Sequence, residues 1–261
     1  MTENSTKPRP GETPSGLTAH IIIPPSQLLL VPQPRQQDDY YRCTGFLRTR
    51  FNDGSSALGT GTIIVADGNY GILTCAHNVY DAATADHLPR YTVFAPALTS
   101  GRLSRAAIAV RPPAIRFPAD YGGNATGPKD YAVIRLTPDQ VPADWGPFPS
   151  MQTIPPTQLS TVQVTGYPAD PPNPGDPTPA MYHSRGAGSQ IDPEFLLYKA
   201  STLYGMSGSP VVRVDPRDGG VPDLASITGV HVGNGSRPDG AYNKAVYLST
   251  GVIQWIAGQM A

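Results

Sequence analysis

Residues 201–212 read Ser-Thr-Leu-Tyr-Gly-Met-Ser-Gly-Ser-Pro-Val-Val. The serine at position 207 stands between Gly205 and Gly208, with apolar β-branched residues close behind it. This pattern is typical of a nucleophile on a tight turn before a strand. A hydroxyl with its ordinary pKa is a poor nucleophile, so Ser207 can act only with a general base and a group that orients that base. Both must come from elsewhere in the chain.

Two upstream segments supply a base and an acid. The segment Thr-Cys-Ala-His at 74–77 ends an apolar run, and Asp130 begins the strand-like stretch Asp-Tyr-Ala-Val-Ile-Arg-Leu at 130–136. The three groups therefore follow one another along the chain in the order His77, Asp130, Ser207. Catalytic triads occur in different orders on unrelated folds, and this is the order of chymotrypsin rather than of subtilisin or the α/β-hydrolases.

The turn around the serine also argues against an α/β-hydrolase. The nucleophile elbow of that fold reads Gly-x-Ser-x-Gly and continues into a helix. Here Ser209 occupies the position of the last glycine and Pro210 follows it. Proline lacks a backbone donor and clashes inside a helix, so this sequence favours a strand after the turn.

At these three segments the sequence resembles the chymotrypsin-like serine proteases, and among them the glutamyl endopeptidase branch. Further similar motifs extend the resemblance over residues 40–258: Gly-Tyr-Pro at 166–168, Met-Tyr at 181–182 with Ser184, Gly-Val-His at 229–231 and Asn-Lys-Ala-Val-Tyr at 243–247. The resemblance implies an all-β fold of two six-stranded antiparallel β-barrels with a C-terminal helix. It also implies serine endopeptidase activity on a protein or peptide substrate.

The distribution of proline and of strand-like segments predicts three regions. Residues 1–38 are polar and proline-rich, and we expect a largely disordered N-terminal extension, a candidate propeptide. Residues 39–145 are expected to form an N-terminal barrel with the candidate base and acid. Residues 146–261 are expected to form a C-terminal barrel with the candidate nucleophile, followed by the terminal helix. The proposed site would then lie in the cleft between the barrels.

The composition excludes several classes of partner. With Lys+Arg 19 and Asp+Glu 20 the net charge is -1, so there is no basic field for nucleic acid and no polybasic segment for an anionic membrane. The 30 prolines and the charged fraction of 15% favour short strands joined by many turns. Residues 1–20 lack the apolar core of a secretory signal, and residues 21–31 are too short to cross a bilayer. We expect a monomer and assign no compartment.

The two cysteines, Cys43 and Cys75, are too few for a disulfide framework and lack the spacing of metal ligands. Two buried free thiols are the favoured interpretation. One disulfide bridge is the alternative, since Cys75 adjoins the candidate base and Cys43 is expected on the first strand. No metal and no cofactor is expected.

The resemblance implies a role for each residue of the reacting centre. Ser207 would attack a peptide carbonyl while His77 accepts its proton, and Asp130 would orient the imidazole. The backbone N–H groups of Gly205 and Ser207 would form the oxyanion hole.

The resemblance also implies a substrate pocket that contains Thr202, His231 and Asn234. An imidazole N–H and a hydroxyl can each donate to a carboxylate, which is costly to bury without partners. A trypsin-like pocket would need an acid at the position of Ser201, so a preference for Arg or Lys is disfavoured. We expect cleavage after Glu or Asp.

Two other functions are compatible with the same residues. One is a noncatalytic binding module with the chymotrypsin fold, and the other is an esterase that uses the same triad. For His231 the alternative is a buried structural histidine. Labelling by a fluorophosphonate distinguishes the binding module from an enzyme, and the relative turnover of peptides and simple esters distinguishes the esterase.

Overall fold

The computed structural model describes residues 23, 27–32, 39–98, 106–141, 145–155, 161–170, 172, 175, 179–215, 221–237 and 240–261. These residues form short strands and two α-helices. The helices are α1 (Asp39–Cys43) and α2 (Thr250–Met260). The strands are β1 (Leu29–Leu30), β2 (Thr44–Arg50), β3 (Ser56–Ala66), β4 (Asn69–Thr74), β5 (Tyr91–Pro96), β6 (Ile108–Val110), β7 (Ile115–Arg116), β8 (Ala132–Leu136), β9 (Ser150–Met151), β10 (Thr161–Gly166), β11 (Tyr182–Asp192), β12 (Phe195–Tyr198), β13 (Pro210–Asp215), β14 (Val221–Arg237) and β15 (Gly240–Tyr247).

The first sheet contains strands β2 to β8 in the order β6-β5-β2-β3-β4-β8-β7, with antiparallel neighbours. Its β3–β4 hairpin turns at Asp67 and Gly68, which both have positive φ, at 50° and 79°. A two-residue turn of this kind matches the right-handed twist of the strands it joins. An Asp-Gly pair between two strand-like runs is a sequence signal for such a turn.

The second sheet closes on itself. Its path runs β11-β10-β13-β14-β15-β12, and β12 pairs again with β11, which makes a six-stranded barrel. The two-residue strands β1 and β9 are added to this barrel on β11 and β14. The all-β prediction is confirmed. The second barrel is closed as expected, whereas the first sheet is a curled half-barrel.

Among the described residues, the buried apolar side chains form three clusters. One fills the first sheet and includes Leu47, Ile63, Ile72, Phe94 and Ile134. A second fills the barrel and includes Val162, Val164, Tyr182, Leu196 and Val211. The third joins the two sheets and helix α2, and includes Ile64, Leu73, Val133, Val212, Val230, Val246, Ile256 and Met260. Because this shared cluster buries apolar surface of both sheets, it stabilises their relative position.

Helix α2 closes the chain against the first sheet. Its N-cap Ser249 accepts a hydrogen bond from the Val252 N–H at 3.4 Å. Ile256 and Met260 are buried, and Trp255 packs edge-on against Tyr131 with the ring centroids 5.1 Å apart. The C-terminal helix that the resemblance implies is confirmed. In the described part of the chain, neither helix has the length and apolarity to span a membrane.

Local structure departs from the sequence-based expectation at two places. Residues 39–43 form a helical turn where the first strand was expected to begin, so that β2 starts at Thr44. The sequence of residues 81–87 is compatible with a short helical turn, but these residues form non-helical turns, because the Asp81 carboxylate accepts the backbone N–H groups of Asn52 at 3.0 Å and Ala83 at 2.9 Å. Side-chain bonds of this kind compete with helical hydrogen bonding.

The described part of the proline-rich extension packs on the barrel. Leu29 and Leu30 pair with residues of β11, and the Val31 N–H donates to the Met181 carbonyl at 2.9 Å. Leu28 and Val31 are buried. The remainder of the extension lies outside the described residues. Cys43 and Cys75 are both buried free thiols, so the alternative of a disulfide between them is not realised.

Two polar side chains, Thr60 on β3 and Asn78 just after β4, and the main-chain N–H of Thr60 bind the loop that carries Ser207. The Ser207 carbonyl accepts the Thr60 N–H at 2.8 Å and the Asn78 side-chain amide at 2.9 Å. That amide also donates to the Thr74 hydroxyl at 3.0 Å, and the Thr60 hydroxyl donates to the Gly205 carbonyl at 3.2 Å. All of these groups are buried, so the contact between the two sheets is polar at this point and apolar behind it.

Replacing Asn78 by alanine tests this polar contact. The Ser207 carbonyl and the Thr74 hydroxyl each lose a buried donor, so the free energy of unfolding should fall by about 2 kcal/mol in urea denaturation. Asn69→Ala, at the β3–β4 turn, is the control and should change it by less than about 0.5 kcal/mol. Equal losses in the two variants would show that the amide does not contribute to the contact.

Candidate active site

The pairing of β4 with β8 brings His77 and Asp130 together. Thr74 at the end of β4 lies opposite Ala132 at the start of β8. His77 follows β4 in a single 3₁₀ turn, Ala76–Asn78, and Asp130 precedes β8 by two residues. The His77 Nδ1 lies 2.6 Å from the Asp130 Oδ2, and the His77 backbone N–H donates to Oδ1 at 2.9 Å. The carboxylate therefore fixes both the main chain and the ring of the histidine.

Asp130 is fully buried, whereas the His77 side chain retains 19% of its exposure. The Thr126 N–H donates to Asp130 Oδ2 at 2.8 Å, and the buried Tyr121 hydroxyl is hydrogen-bonded to the same carboxylate. A buried carboxylate without such donors would be very costly. Each carboxylate oxygen therefore has at least one donor, which offsets the cost of its burial.

Burial and the neighbouring charge act on the pKa of His77 in opposite directions. Burial lowers it, because a cation is poorly solvated in the protein interior, and the Asp130 carboxylate raises it. The carboxylate prevails, and the pKa of His77 lies well above its usual value. His77 therefore becomes a neutral base only as the pH rises through this raised pKa.

The other ring nitrogen of His77 contacts a thiol. The Cys75 Sγ lies 3.4 Å from Nε2. Burial raises the pKa of Cys75, so the sulfur is held as a neutral thiol rather than a thiolate. Sequence reasoning placed Cys75 next to the candidate base but did not anticipate this contact. The available signal was the i, i+2 spacing at the point where the strand ends.

Cys75, His77 and Asp130 offer three potential metal ligands within 4.8 Å of one another. Two ligands on one zinc ion, each about 2.0 Å from it in a tetrahedron, are separated by about 3.3 Å. The 2.6 Å between Nδ1 and Oδ2 is shorter than this and has the length of a charge-assisted hydrogen bond. As arranged, the group fits an acid–base pair better than a metal chelate.

Ser207 lies on a turn that requires its two glycines. We call residues 205–209 the serine turn. Gly205 and Gly208 have φ of 91° and 85°, a region that favours glycine. A Cβ on Gly205 would lie 2.6 Å from the Ala169 backbone nitrogen, and one on Gly208 would lie 2.2 Å from the Thr60 carbonyl oxygen. The turn is therefore packed against backbone on both sides.

The serine turn adjoins the candidate base. The side-chain amide of Asn78, the residue directly after His77, donates to the Ser207 carbonyl at 2.9 Å. Ser207 is 4% exposed. The Met206 N–H turns back to the Leu203 carbonyl at 3.0 Å, whereas the Gly205 N–H has no acceptor among the described residues. A backbone donor of this kind is available to a ligand.

His231 is tied to the serine turn by its main chain. Its N–H donates to the Ser209 carbonyl at 2.9 Å, and its carbonyl accepts the Gly208 N–H at 2.8 Å. The imidazole is fully buried, and its Nδ1 lies 2.5 Å from the Tyr198 hydroxyl and 3.1 Å from the Lys244 carbonyl oxygen. Sequence reasoning did not anticipate Tyr198, which lies 33 residues away along the chain.

The other two pocket candidates differ in their surroundings. Thr202 is buried, and its hydroxyl has no hydrogen-bond partner in the described structure. Asn234 is half-buried on β14 opposite Asn243, beyond the irregularity between His231 and Gly233. Ser201, next to Thr202, accepts the Ile23 N–H at 2.9 Å on its side-chain oxygen. The described end of the extension therefore lies against the residue that adjoins Thr202.

Known proteins resemble this chain in sequence. Residues 59–221, more than half of the chain, match the trypsin-like peptidase domain. This chain belongs to the trypsin-like peptidase domain family. A curated relative, the glutamyl endopeptidase of Staphylococcus epidermidis, is 30% identical over 145 residues, which are 52% of this chain. The match spans 42% of the length of that relative.

Solved structures share the fold of this family member. A Glu endopeptidase in complex with MPD superposes with a TM-score of 0.68 at 21% identity, covering 90% of this chain and 97% of the other. The thermostable serine protease AL20 from an extremophilic microorganism superposes with a TM-score of 0.66 at 17% identity, covering 86% and 98%. The expected chymotrypsin-like fold is confirmed.

Replacing Asp130 by asparagine tests the cause of the raised pKa of His77. The amide keeps the shape of the carboxylate but has no charge, so the pKa of His77 should fall in an NMR titration of the ring. Asp120→Asn is the matched control, because Asp120 is exposed and pairs with Lys129 at 3.7 Å, and it should leave the titration of His77 unchanged. An unaltered midpoint in the Asp130 variant would contradict the assignment.

Proposed function

We propose that this protein is a serine endopeptidase that cleaves peptide bonds through Ser207, His77 and Asp130. The observation that carries the proposal is the buried 2.6 Å contact between His77 and Asp130, next to a glycine-flanked turn that presents Ser207. In this proposal the half-barrel within residues 39–145 supplies the base and the acid, and the barrel within residues 146–261 supplies the nucleophile. Membership of the trypsin-like peptidase domain family supports it.

The geometry of the pair assigns a tautomer to the base. A carboxylate only accepts hydrogen bonds, so the neutral His77 carries its proton on Nδ1, toward Asp130. The lone pair is then on Nε2, which lies 3.4 Å from the Cys75 thiol. In the proposed reaction the Ser207 hydroxyl replaces the thiol at this nitrogen and gives up its proton to it. The same nitrogen later donates this proton to the leaving amine, and water repeats the sequence on the acyl-enzyme. Asp130 stabilises the imidazolium that forms between these steps.

The oxyanion of the tetrahedral intermediate would be bound by backbone donors. We assign this role to the N–H groups of Gly205 and Ser207. Gly205 has a positive φ. This backbone conformation is easily adopted by glycine and is strained for a residue with a side chain. Removal of one oxyanion donor in other enzymes costs about 10²–10³ in turnover, so the shape of this turn would contribute to turnover in addition to the triad.

A preference for Glu, or Asp, before the scissile bond is supported by three features of the pocket candidates. Thr202 has a buried hydroxyl without a protein partner, His231 is attached to the serine turn, and Ser201 offers no negative charge to attract Arg or Lys. The Staphylococcus relative is named a glutamyl endopeptidase, which supports the same preference. We assign Thr202 and His231 as donors to the substrate carboxylate and Asn234 to the pocket wall.

Ser207→Ala tests the proposed nucleophile. A fluorophosphonate probe should label the wild-type protein and not the variant, and peptide turnover should fall about 10⁶-fold. Digestion of a peptide library then identifies the residue before each cut. Folded wild-type protein that resists the probe would favour the noncatalytic binding module, and ester turnover without peptide turnover would favour the esterase.

Thr202→Val tests the pocket. Valine has nearly the same shape and removes a hydroxyl without a partner, so the melting temperature should not fall. The ratio of kcat/KM for a Glu substrate to that for its Gln analogue should decrease about tenfold, because the carboxylate loses a donor.

Thr228→Val is the matched control for this substitution. Thr228 is also buried with an unpartnered hydroxyl, and it lies on β14 three residues before His231. Its ratio should remain that of the wild type. If both variants keep the wild-type ratio, Thr202 does not contact the substrate carboxylate.

A further inference from the structure

The thiol beside the proposed base has no part in the proposed reaction. The backbone of Cys75 is extended, with φ -85° and ψ 153°, and the chain then enters the 3₁₀ turn Ala76–Asn78. This change of direction accompanies a distance of 3.4 Å between the Cys75 Sγ and the His77 Nε2. A thiolate and an imidazole are both preferred ligands of zinc and of other thiophilic divalent ions. The two atoms therefore form a candidate metal site.

The separation of the two atoms fits a single zinc ion. Zinc lies about 2.3 Å from a cysteine sulfur and about 2.0–2.1 Å from a histidine nitrogen. In a tetrahedral arrangement these bond lengths place the two ligand atoms about 3.5 Å apart, and the observed separation is 3.4 Å. The 2.6 Å between His77 Nδ1 and Asp130 Oδ2, in contrast, is too short for two ligands of one ion. An ion can therefore bind Sγ and Nε2 with little movement of either side chain.

Asp130 would support the ion through the histidine rather than bind it. Histidines that bind metals commonly donate their other ring N–H to a carboxylate, which orients the ring and makes the coordinating nitrogen more basic. Asp130 already has this position, 2.6 Å from Nδ1, and it also accepts the His77 backbone N–H at 2.9 Å. The imidazole is therefore oriented for coordination before an ion binds.

The charges and protons of such a site balance. Burial raises the pKa of Cys75, so in the absence of metal the sulfur carries a proton. When a divalent ion binds the thiol and the neutral imidazole, the S–H bond breaks and its proton goes to water. The sulfur and the nitrogen each donate an electron pair to the ion, and no atom is oxidised or reduced. The thiolate and the Asp130 carboxylate then place two negative charges beside the two positive charges of the ion.

The small number of protein ligands indicates reversible binding. Structural zinc sites have four protein ligands and are closed, whereas among the described residues the potential ligands around His77 are Cys75 and Asp130. The site therefore does not depend on the ligand spacing of structural zinc motifs, which the sequence lacks. Cys75 is fully buried, but the His77 side chain keeps 19% of its exposure, so an ion can approach from the histidine.

We propose that Cys75 and His77 form an inhibitory site for Zn²⁺, in which the ion binds the Cys75 Sγ and the His77 Nε2. Water fills the coordination positions that the protein leaves open. The inference rests on the proposed function, because Nε2 is the atom that accepts the proton of Ser207 in that reaction. An ion at Nε2 holds the lone pair of the base, and peptide hydrolysis stops until the ion leaves.

The test measures peptide hydrolysis at increasing concentrations of Zn²⁺, with each protein compared with its own rate in the absence of metal. Zn²⁺ should inhibit the wild-type protein and a chelator should restore activity, whereas Mg²⁺, which prefers oxygen ligands, should not inhibit. Cys75→Ala should need at least about tenfold more Zn²⁺ for half-inhibition. Loss of a hydrogen-bond partner of a metal ligand alone costs about 10–100-fold in affinity, and loss of the ligand itself should cost no less.

Cys43→Ala is the matched control. It removes the other buried cysteine sulfur, which belongs to the apolar cluster of the first sheet and not to the ligand group around His77. Its half-inhibition by Zn²⁺ should follow that of the wild type. Equal half-inhibition of the wild type and Cys75→Ala would overturn the inference, as would equal shifts in the two cysteine variants.

A binding measurement separates this inference from the proposed function. Cd²⁺ serves as a spectroscopic substitute for zinc, because its complex with a thiolate has an ultraviolet charge-transfer band. The band should appear in Ser207→Ala, which lacks the proposed nucleophile, and should be lost when Cys75→Ala is added to it. A band that depends on Cys75, in a protein whose wild type cleaves no peptide, would support the metal site and overturn the endopeptidase proposal. Peptide cleavage by the wild type without such a band would overturn the metal site alone.

Discussion

The arrangement of this site depends on how the first sheet holds the main-chain carbonyl of Ser207. Thr60 and Asn78 both donate to that oxygen from within the protein. Because Asn78 directly follows His77, its buried side-chain amide links the turn that carries the proposed base to the main chain of the proposed nucleophile. Movement of the serine turn would leave these buried donors unpaired, at a cost of about 1–3 kcal/mol for each. The polar contact thus fixes the position of the serine turn relative to the turn that carries His77.

A second constraint is the buried charge of Asp130. A carboxylate removed from water requires donors on both oxygens, and these come from a neighbouring loop residue, Thr126, and from the ring and main chain of His77. The same bonds that make the burial tolerable also orient the imidazole. Stability and the proposed catalytic role therefore require the same hydrogen bonds at this residue. A replacement that removes the charge changes the pKa of His77 together with its orientation.

Sequence reasoning succeeded where the deciding pattern is local. The order of the three motifs, the Asp67-Gly68 turn and the terminal helix can each be read from a few adjacent residues. It failed where partners are distant: the turn at Asp81 depends on Asn52, 29 residues earlier, and Tyr198 meets His231 only because the barrel closes. The contact of Cys75 with His77 is close in sequence, but its existence depends on the rotamer of the imidazole, which is set by Asp130.

The contrast between satisfied and unsatisfied polar groups separates the parts of the site by role. The hydrogen bonds of the His77–Asp130 pair are supplied by the protein itself. The proposed base is therefore oriented before a substrate binds. The Thr202 hydroxyl is buried without such a partner, and a hydroxyl in that state destabilises the free protein. In the proposed pocket a substrate carboxylate would supply the missing acceptor for its proton, so binding an acidic side chain would offset the cost borne by the unliganded fold. A neutral isostere lacks the charge that strengthens this bond, which is why Gln in place of Glu would recover only part of it.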